Sequence, residues 1–501
     1  MRGGGVLRVL GVTVVGAALV AGATTTDTRW LVAGSPQVGG SAEQGRSVPI
    51  TSRTLVCPGP ETLGVPGLPV TDVAPATLAA TAAPAGVAGA VPATRPTGTI
   101  AITASAGGQE LGRTTAPGDV VPATVAGAAS ALVRADGRLA PTVTAVQQTL
   151  VPTGEHAGLS SVPCSEPVAD AWLLGGSGQA GRQEHLVLTN PHDTAVTVDV
   201  TLHGTRGPVI GVAGQGIVVQ PRGRTVVLLD ALDGSEPAPA AHLVARGGTV
   251  HAVMHDGWLD GIVPRGGDDV MVAVAPDRLL VVPGLAVAGE ADPAVVRVAV
   301  PGDRDADLRV TVLGPTGPAP VEVLRRRVRG GATADLGLPA LPAGSYAVQV
   351  EASVPVAAAG YVGRADGQRP AGGGSVAAPV HDLAWVPATA PLDGLTGLPL
   401  ARPAQGALTH RLALSNPGAS PTTATVTLVD AAGRAAPRPV PLPSRSAVSI
   451  DLGDARSVWV TPGPGGVRAA VVTEAPGGLV TIAPLVTRPQ ATVPYAVTPD
   501  R

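Results

Sequence analysis

The chain has 501 residues, of which 45% are hydrophobic but only 2% aromatic, with no phenylalanine and a formal net charge of −3. That length exceeds one ordinary core, so several domains are expected, and the near-neutral charge gives no electrostatic reason to expect a nucleic-acid partner. The 67 glycines and 51 prolines disfavour long helices, because an interior Pro costs about 3 kcal/mol and Gly about 1. An all-β fold of short strands and many turns follows. Its core has to come from Val, Leu and Ala, each burying less area than an aromatic ring.

At the amino terminus, Arg2 and Arg8 precede an uncharged apolar run from Val9 to Ala23 that ends in Ala21-Gly22-Ala23, a small-x-small cleavage pattern. A run of about 15 residues is short for a membrane span of about 20. Residues 1–23 therefore read as a signal peptide or an N-terminal membrane anchor. No Arg-Arg pair points to a twin-arginine route. Residues 24–52 read as a tether. The chain has no lysine, and its only asparagines are Asn190 and Asn416. Avoidance of residues with AT-rich codons indicates a GC-rich genome and an actinobacterium-like source.

A first β module is expected over 53–166. It brackets the only two cysteines, Cys57 and Cys164, which in an exported chain read as one structural disulfide. Closing a loop of about 100 residues contributes up to ~4.7 kcal/mol in the chain-entropy model. Ile100 and Ile102 mark a strand; residues 73–95, rich in Ala, Pro and Thr, read as a loop or a short helix.

A second module is expected over 167–277. Gly176-Ser-Gly178-Gln-Ala-Gly181 has the letters of a dinucleotide fingerprint, but it runs into Leu186-Val-Leu rather than a helix that would hold a pyrophosphate, so a glycine-rich turn is expected. Val196, Val198, Val200 and Leu202 alternate with polar residues, the period-2 mark of a half-buried strand. His251 and His255 would share one metal on a helix. On a strand, at ~3.3 Å per residue, they lie about 13 Å apart, so surface or satisfied core histidines are expected.

A third module over 278–378 carries strand patterns at Leu308, Val310 and Val312 and at Tyr346, Val348 and Val350. Asp303, Asp305 and Asp307 resemble the start of a calcium loop, but Leu308 and Gly314 stand where such a loop needs Gly and Glu; a solvated hairpin is the default. Arg325, Arg326, Arg327 and Arg329 form the one dense basic run, a candidate surface for an anionic wall polymer or else an edge strand guarded by charge. Residues 364–378, with Gly372-Gly-Gly-Ser375, read as a linker. A fourth module is expected over 379–488, and 489–501 read as a tail.

The chain repeats itself. Leu186-Val-Leu-Thr-Asn190-Pro191 recurs as Leu412-Ala-Leu-Ser-Asn416-Pro417, and Arg53 to Gly59 resembles Arg278 to Gly284, with Val282 in the place of Cys57. Asp170 and Trp172 are echoed by Asp382 and Trp385, and Arg224 to Asp230 by Arg445 to Asp451. Four ordered echoes indicate tandem duplication of a unit of about 225 residues, each unit holding two immunoglobulin-like sandwiches. A β-propeller is the alternative repeat architecture. Trp30, Trp172, Trp258, Trp385 and Trp459 are expected in module cores rather than on sugar-binding surfaces.

With Leu55-Val-Cys57-Pro-Gly-Pro, Trp172-Leu-Leu-Gly-Gly and Leu-Val-Leu-Thr-Asn190-Pro in view, the chain resembles a family of actinobacterial large secreted proteins known only as a domain of unknown function. The resemblance implies an extracytoplasmic protein, secreted or anchored by its N-terminal segment, and transfers no catalytic residue. No Gly-x-Ser-x-Gly, Ser-x-x-Lys or His-Glu-x-x-His motif occurs. The expectation is a non-enzymatic envelope scaffold or protein-interaction protein, without cofactor or metal. Its expected partners are cell-wall polymer or envelope proteins, with no nucleic acid, and with membrane contact only through the N-terminal segment. The alternative is a binding module for wall glycan or another anionic envelope polymer.

Overall fold

The computed structural model describes residues 46–60, 74–87, 97–209, 214–365, 375–402, 407–486 and 492–495. The export segment, most of the tether, Trp30 and most of the 364–378 linker lie outside the described residues. Arg46–Pro49 pairs with Thr492–Tyr495 in a two-stranded sheet. Pro49–Ala491 form a separate compact unit, described from here on.

Strands arise where the alternation predicts them. In Val196–Gly204, Val196, Val198, Val200 and Leu202 are buried while Thr197, Asp199 and Thr201 are half-exposed. Ala76–Thr81, inside the stretch read as loop or helix, is a strand whose small side chains are nearly all buried. Ala carries little intrinsic preference for strands, and here ladders on both sides override its helical propensity.

The strands build four sandwiches of one topology. The first has its eight strands at Ser52–Cys57, Ala76–Thr81, Ile100–Ala104, Glu110–Thr114, Val121–Val125, Ala131–Asp136, Thr144–Val151 and Gly158–Pro163. One of its sheets has the order first–sixth–third–fourth and the other fifth–second–seventh–eighth. The same two orders recur from Asp170–Leu174 to Val263–Val270, from Asp277–Val287 to Val380–Pro387, and from Thr396–Pro399 to Leu479–Pro484. In the third sandwich one long strand, Gly344–Ala365, serves as both sixth and seventh by crossing from one sheet to the other. Cys57 and Cys164 are disulfide-bonded, tying the end of the first strand to the residue just after the eighth.

The sandwiches close into a ring. Each fifth–second–seventh–eighth sheet packs one face on its own partner sheet and the other on a neighbouring sandwich. Ala79 and Val146 of the first join the fourth core, and Val187 and Val253 of the second meet Val162 of the first. Val295, Ala357 and Tyr361 of the third join the second core; Ala413, Ala470 and Val472 of the fourth join the third. The four eighth strands pack side by side at the centre, each against the next and the last against the first. The chain thus combines tandem sandwiches with the radial sheets of a propeller.

Buried arginines lock the contacts between sandwiches. Arg297 binds both Asp335 carboxylate oxygens at 2.7 and 2.9 Å and donates to the carbonyls of Gly175, Gly176 and Pro239 in the second sandwich. Arg182 grips Asp256, which also accepts the indole N–H of Trp385 from the third sandwich at 2.7 Å. Arg364 bridges Asp292 and Glu474 between the third and fourth.

Two echoes shift. Trp172 sits on the strand that opens the second sandwich, pairing with Ala240–Val244. Trp385 sits on Val380–Pro387, which pairs with Ala359–Ala365 and closes the third sandwich, so the two tryptophans are not equivalent and this strand belongs with the third module rather than the fourth. The partner of Arg445 is Arg222, not Arg224. Both adopt a left-handed conformation (φ 49° and 55°) and donate their backbone N–H to the carbonyls of Gly418 and His192. The turn geometry aligns these two, whereas the letters align residues two positions on.

Asn190 and Asn416 do the same work. Asn190 donates to the carbonyls of Thr194, Val219 and Gln220 and accepts from the N–H of His192. Asn416 donates to Ser420, Leu442 and Pro443 and accepts from Gly418. One buried amide thereby satisfies backbone groups of two turns that no ladder reaches. Asn190→Ala is expected to lower stability by about 2–3 kcal/mol. Asn190→Asp is expected to cost more, because its carboxylate faces three carbonyl oxygens. Urea unfolding of both variants checks the order, and an Asp variant more stable than the Ala variant contradicts it.

Candidate functional site at the ring axis

At the axis the four eighth strands, Gly158–Pro163, Val263–Val270, Val380–Pro387 and Leu479–Pro484, meet without forming a ladder with one another. Close approach needs glycine: a Cβ on Gly158 would stand 2.9 Å from the backbone N of Gly267, and one on Gly266 2.5 Å from Cα of Asp382. Unpaired edge N–H groups are met by side chains instead. Asp268 accepts the N–H of Trp385 at 2.8 Å and the hydroxyl of Thr481 at 3.0 Å. Asp382 accepts the N–H of Val480, Thr481 that of Ser161, and Asp269 the Ser160 hydroxyl.

Asp268 and Asp382 are completely buried. Burial pushes both carboxyls well above the ordinary range, against the backbone N–H groups that favour ionisation. Glu184 is pushed up to about 9, first by burial and then by the charge of Asp256.

Beyond the polar layer the strands end together, three of them at Pro163, Pro387 and Pro484. There they line a cavity of about 270 Å³, open to solvent on one side and walled by all four sandwiches, with Val162, Val253, Met271, Ala273, Ala388 and Val486 among its apolar lining. Three polar side chains stand out on the wall. His251 is 2% exposed, its Nδ1 has no partner, and burial lowers it to about 4 against the opposing charge of Asp269, so it is neutral at pH 7. Thr389 is 7% exposed and its hydroxyl has no partner. Glu166 is held by Arg53 at 3.1 Å. The wall is thus mainly apolar, with the Nδ1 of His251 and the hydroxyl of Thr389 as its unpartnered buried polar atoms.

The family of unknown function DUF5719 matches residues 120–453. The chain belongs to this family. The DUF5719 match runs from the fifth strand of the first sandwich to the fifth of the fourth, and so takes in the second and third sandwiches whole. No curated protein matches. A solved tetra-tandem repeat from the extending region of a large adhesion protein is 13% identical, covering 78% of this chain and 92% of its own, at a TM-score of 0.09.

In the DUF5719 chain the basic run lies on Leu324–Val328, an edge strand paired only with Ala306–Gly314. Arg325, Arg326, Arg327 and Arg329 are all exposed, and Arg327 ion-pairs with Asp305 at 3.1 Å and Asp307 at 3.9 Å. Asp305 also accepts the N–H of Gly330. No cluster of three or more His, Cys, Asp or Glu placed to hold a metal occurs among the described residues. Gly176 to Gly181 form a turn that enters the strand Arg182–Thr189. His251 and His255 lie on one strand, His255 bonded to Asp269 at 3.1 Å. The four described tryptophans are all buried.

Sequence reading singled out His251 only as half of a metal pair and missed Thr389 and Glu166. The available signal was a hydrophobic strand ending in proline three times over, at Ser161-Val-Pro163, Trp385-Val-Pro387 and Ile482-Ala-Pro484.

The raised carboxyls have a measurable consequence. A group that stays protonated in the fold but ionises when unfolded lowers stability as pH rises above the unfolded carboxyl value of about 4. The buried histidines His251 and His410, both lowered to about 4, act oppositely, and only while pH falls from about 6.5 to 4. Above pH 6.5 the carboxyls act alone, and stability is expected to fall toward pH 9. Asp268→Asn is expected to raise the melting temperature at pH 8 and to close the gap with the parent at pH 4. A variant that melts lower at both values means that Asp268 is ionised in the fold.

Proposed function

We propose that this chain is a non-catalytic scaffold of the cell envelope, outside the cytoplasm, that presents its outer surfaces to other envelope proteins. The observation that supports it most is where the strongly perturbed groups sit. Asp268 and Asp382 are buried where sandwiches meet and accept backbone N–H groups from neighbouring strands. Glu184 is buried within the second sandwich on the N–H of Ser177, and His251 is the strongly shifted group on the cavity wall. The Cys57–Cys164 disulfide fits an oxidising compartment. The apolar N-terminal run fits export from an actinobacterium-like cell, with retention at the membrane if that segment is not cleaved. No helix among the described residues is long and apolar enough to cross a membrane.

A second reading, binding of wall glycan or an anionic envelope polymer, is favoured by one feature. Arg325 and Arg326 stand exposed on an edge strand and Arg329 just after it, while the ion pairs of the neighbouring Asp305 and Asp307 go to Arg327. Two measurements separate the readings. Cross-linking in intact cells is expected to capture a reproducible set of envelope proteins, and a chain that captures none is not a scaffold. Retention on purified wall material is expected to be unaffected by changing Arg325, Arg326 and Arg329 to Ser. Loss of retention in that variant moves the assignment to the polymer reading.

A further inference from the structure

We infer that the axial cavity is a binding site for an uncharged, mainly apolar small molecule bearing one hydroxyl or carbonyl group. It goes beyond the scaffold reading and stands whether or not that reading does. Three observations carry it. The cavity is built by all four sandwiches, from Val162 and Pro163, Met271 to Val274, Pro387 to Ala390, and Pro484 with Val486. At about 270 Å³ it exceeds the roughly 150 Å³ apolar cavity that admits benzene, leaving room for about ten to twelve non-hydrogen atoms.

The second observation is the pair of polar atoms the fold leaves unused on this wall. Nδ1 of His251 and Oγ1 of Thr389 are buried and have no partner. Buried polar atoms in folded proteins nearly always find one. The neighbouring groups of Thr389 are spoken for: its N–H donates to Val281 at 3.1 Å and its carbonyl accepts from Arg468 at 3.4 Å. The rest of the residue is therefore fixed and its hydroxyl alone is free.

Charge defines the ligand class. The His251 imidazole is neutral, and the Glu166 carboxylate is engaged by Arg53, so the wall offers no free cation to an anionic ligand. A sugar, with a hydroxyl on nearly every carbon, would leave most of its polar groups facing Val, Met, Ala and Pro. A hydrocarbon body with one polar group satisfies both the walls and the free atoms.

The test is fluorescence titration of the full chain with 1-naphthol, naphthalene and 1-naphthoate, which share a ring system and differ in the polar group. The expected result is saturable 1-naphthol binding at one per chain, naphthalene about tenfold weaker, and 1-naphthoate weaker still. Thr389→Val, which keeps shape and removes the hydroxyl, is expected to weaken 1-naphthol about tenfold and leave naphthalene unchanged. Ala273→Leu, which fills the cavity, is expected to abolish both, with the melting curve confirming that the variant folds. Absence of saturable 1-naphthol binding by the parent overturns the assignment. So does 1-naphthol binding that Thr389→Val leaves intact, or naphthoate binding tighter than naphthol.

Discussion

Four sheet edges meet at the centre of the Pro49–Ala491 unit, and they have to be reconciled there without a ladder. An unpaired edge exposes a row of N–H and C=O groups, which cannot be left buried and unsatisfied. Propeller-like convergence would normally leave room for water along the axis. In the polar layer below the cavity the strands come too close for that, since Gly158, Gly266 and Gly267 bring backbone against backbone. The edge amides of Trp385, Val480 and Ser161 are then met by Asp268, Asp382 and Thr481. The buried acids are therefore a consequence of ring closure. Their raised proton affinity follows from the same burial and needs no catalytic explanation.

Composition explains how such a ring can be held. With 2% aromatic residues and no phenylalanine, many of the contacts between sandwiches are made by Ala and Val, with Tyr361 and Trp385 as the aromatic exceptions against the second core. Small side chains let sheets approach but give little shape specificity. Direction comes from arginine. A guanidinium presents a planar fork of five donors, and Arg297 uses it to hold one carboxylate of its own sandwich while reaching four carbonyls of the second. A lysine ammonium would satisfy fewer of these acceptors, and the chain contains none.

The fold class and the strands were legible because alternation of Val with Thr or Asp reports directly on which face is buried, as in Val196–Gly204. The duplication was legible through Asn190 and Asn416, whose four hydrogen bonds depend on one side chain that no other residue type replaces. Gly59 and Gly284, both left-handed at φ +77° and +76°, mark the same equivalence at the start of the first and third sandwiches. What stayed hidden is fourfold. All four sandwiches share a strand order, but that order is fixed by backbone ladders and tolerates any residues of suitable size, so the letters preserve only the twofold repeat. The axial site was hidden for a related reason: its walls come from residues more than 300 positions apart, and no local pattern joins Glu166, His251, Thr389 and Val486.

The single disulfide makes most sense in this setting. Val282 occupies the place of Cys57 in the third sandwich, and both are fully buried, so the position does not require a bridge for packing. The third sandwich is flanked on both sides by buried arginine locks, Arg297 toward the second and Arg364 toward the fourth. The first sandwich meets the fourth through weaker means, such as the Thr144 hydroxyl on the carbonyl of Gly397 and Ser161 on Thr481. Cys164 stands between Pro163 and Ser165, both of which line the axial cavity, and Ser165 in turn bridges to Val56. A covalent tie at this point restrains the segment where the chain leaves the first sandwich and fixes one wall of the cavity. It supplies the rigidity that the third sandwich obtains from its charged neighbours.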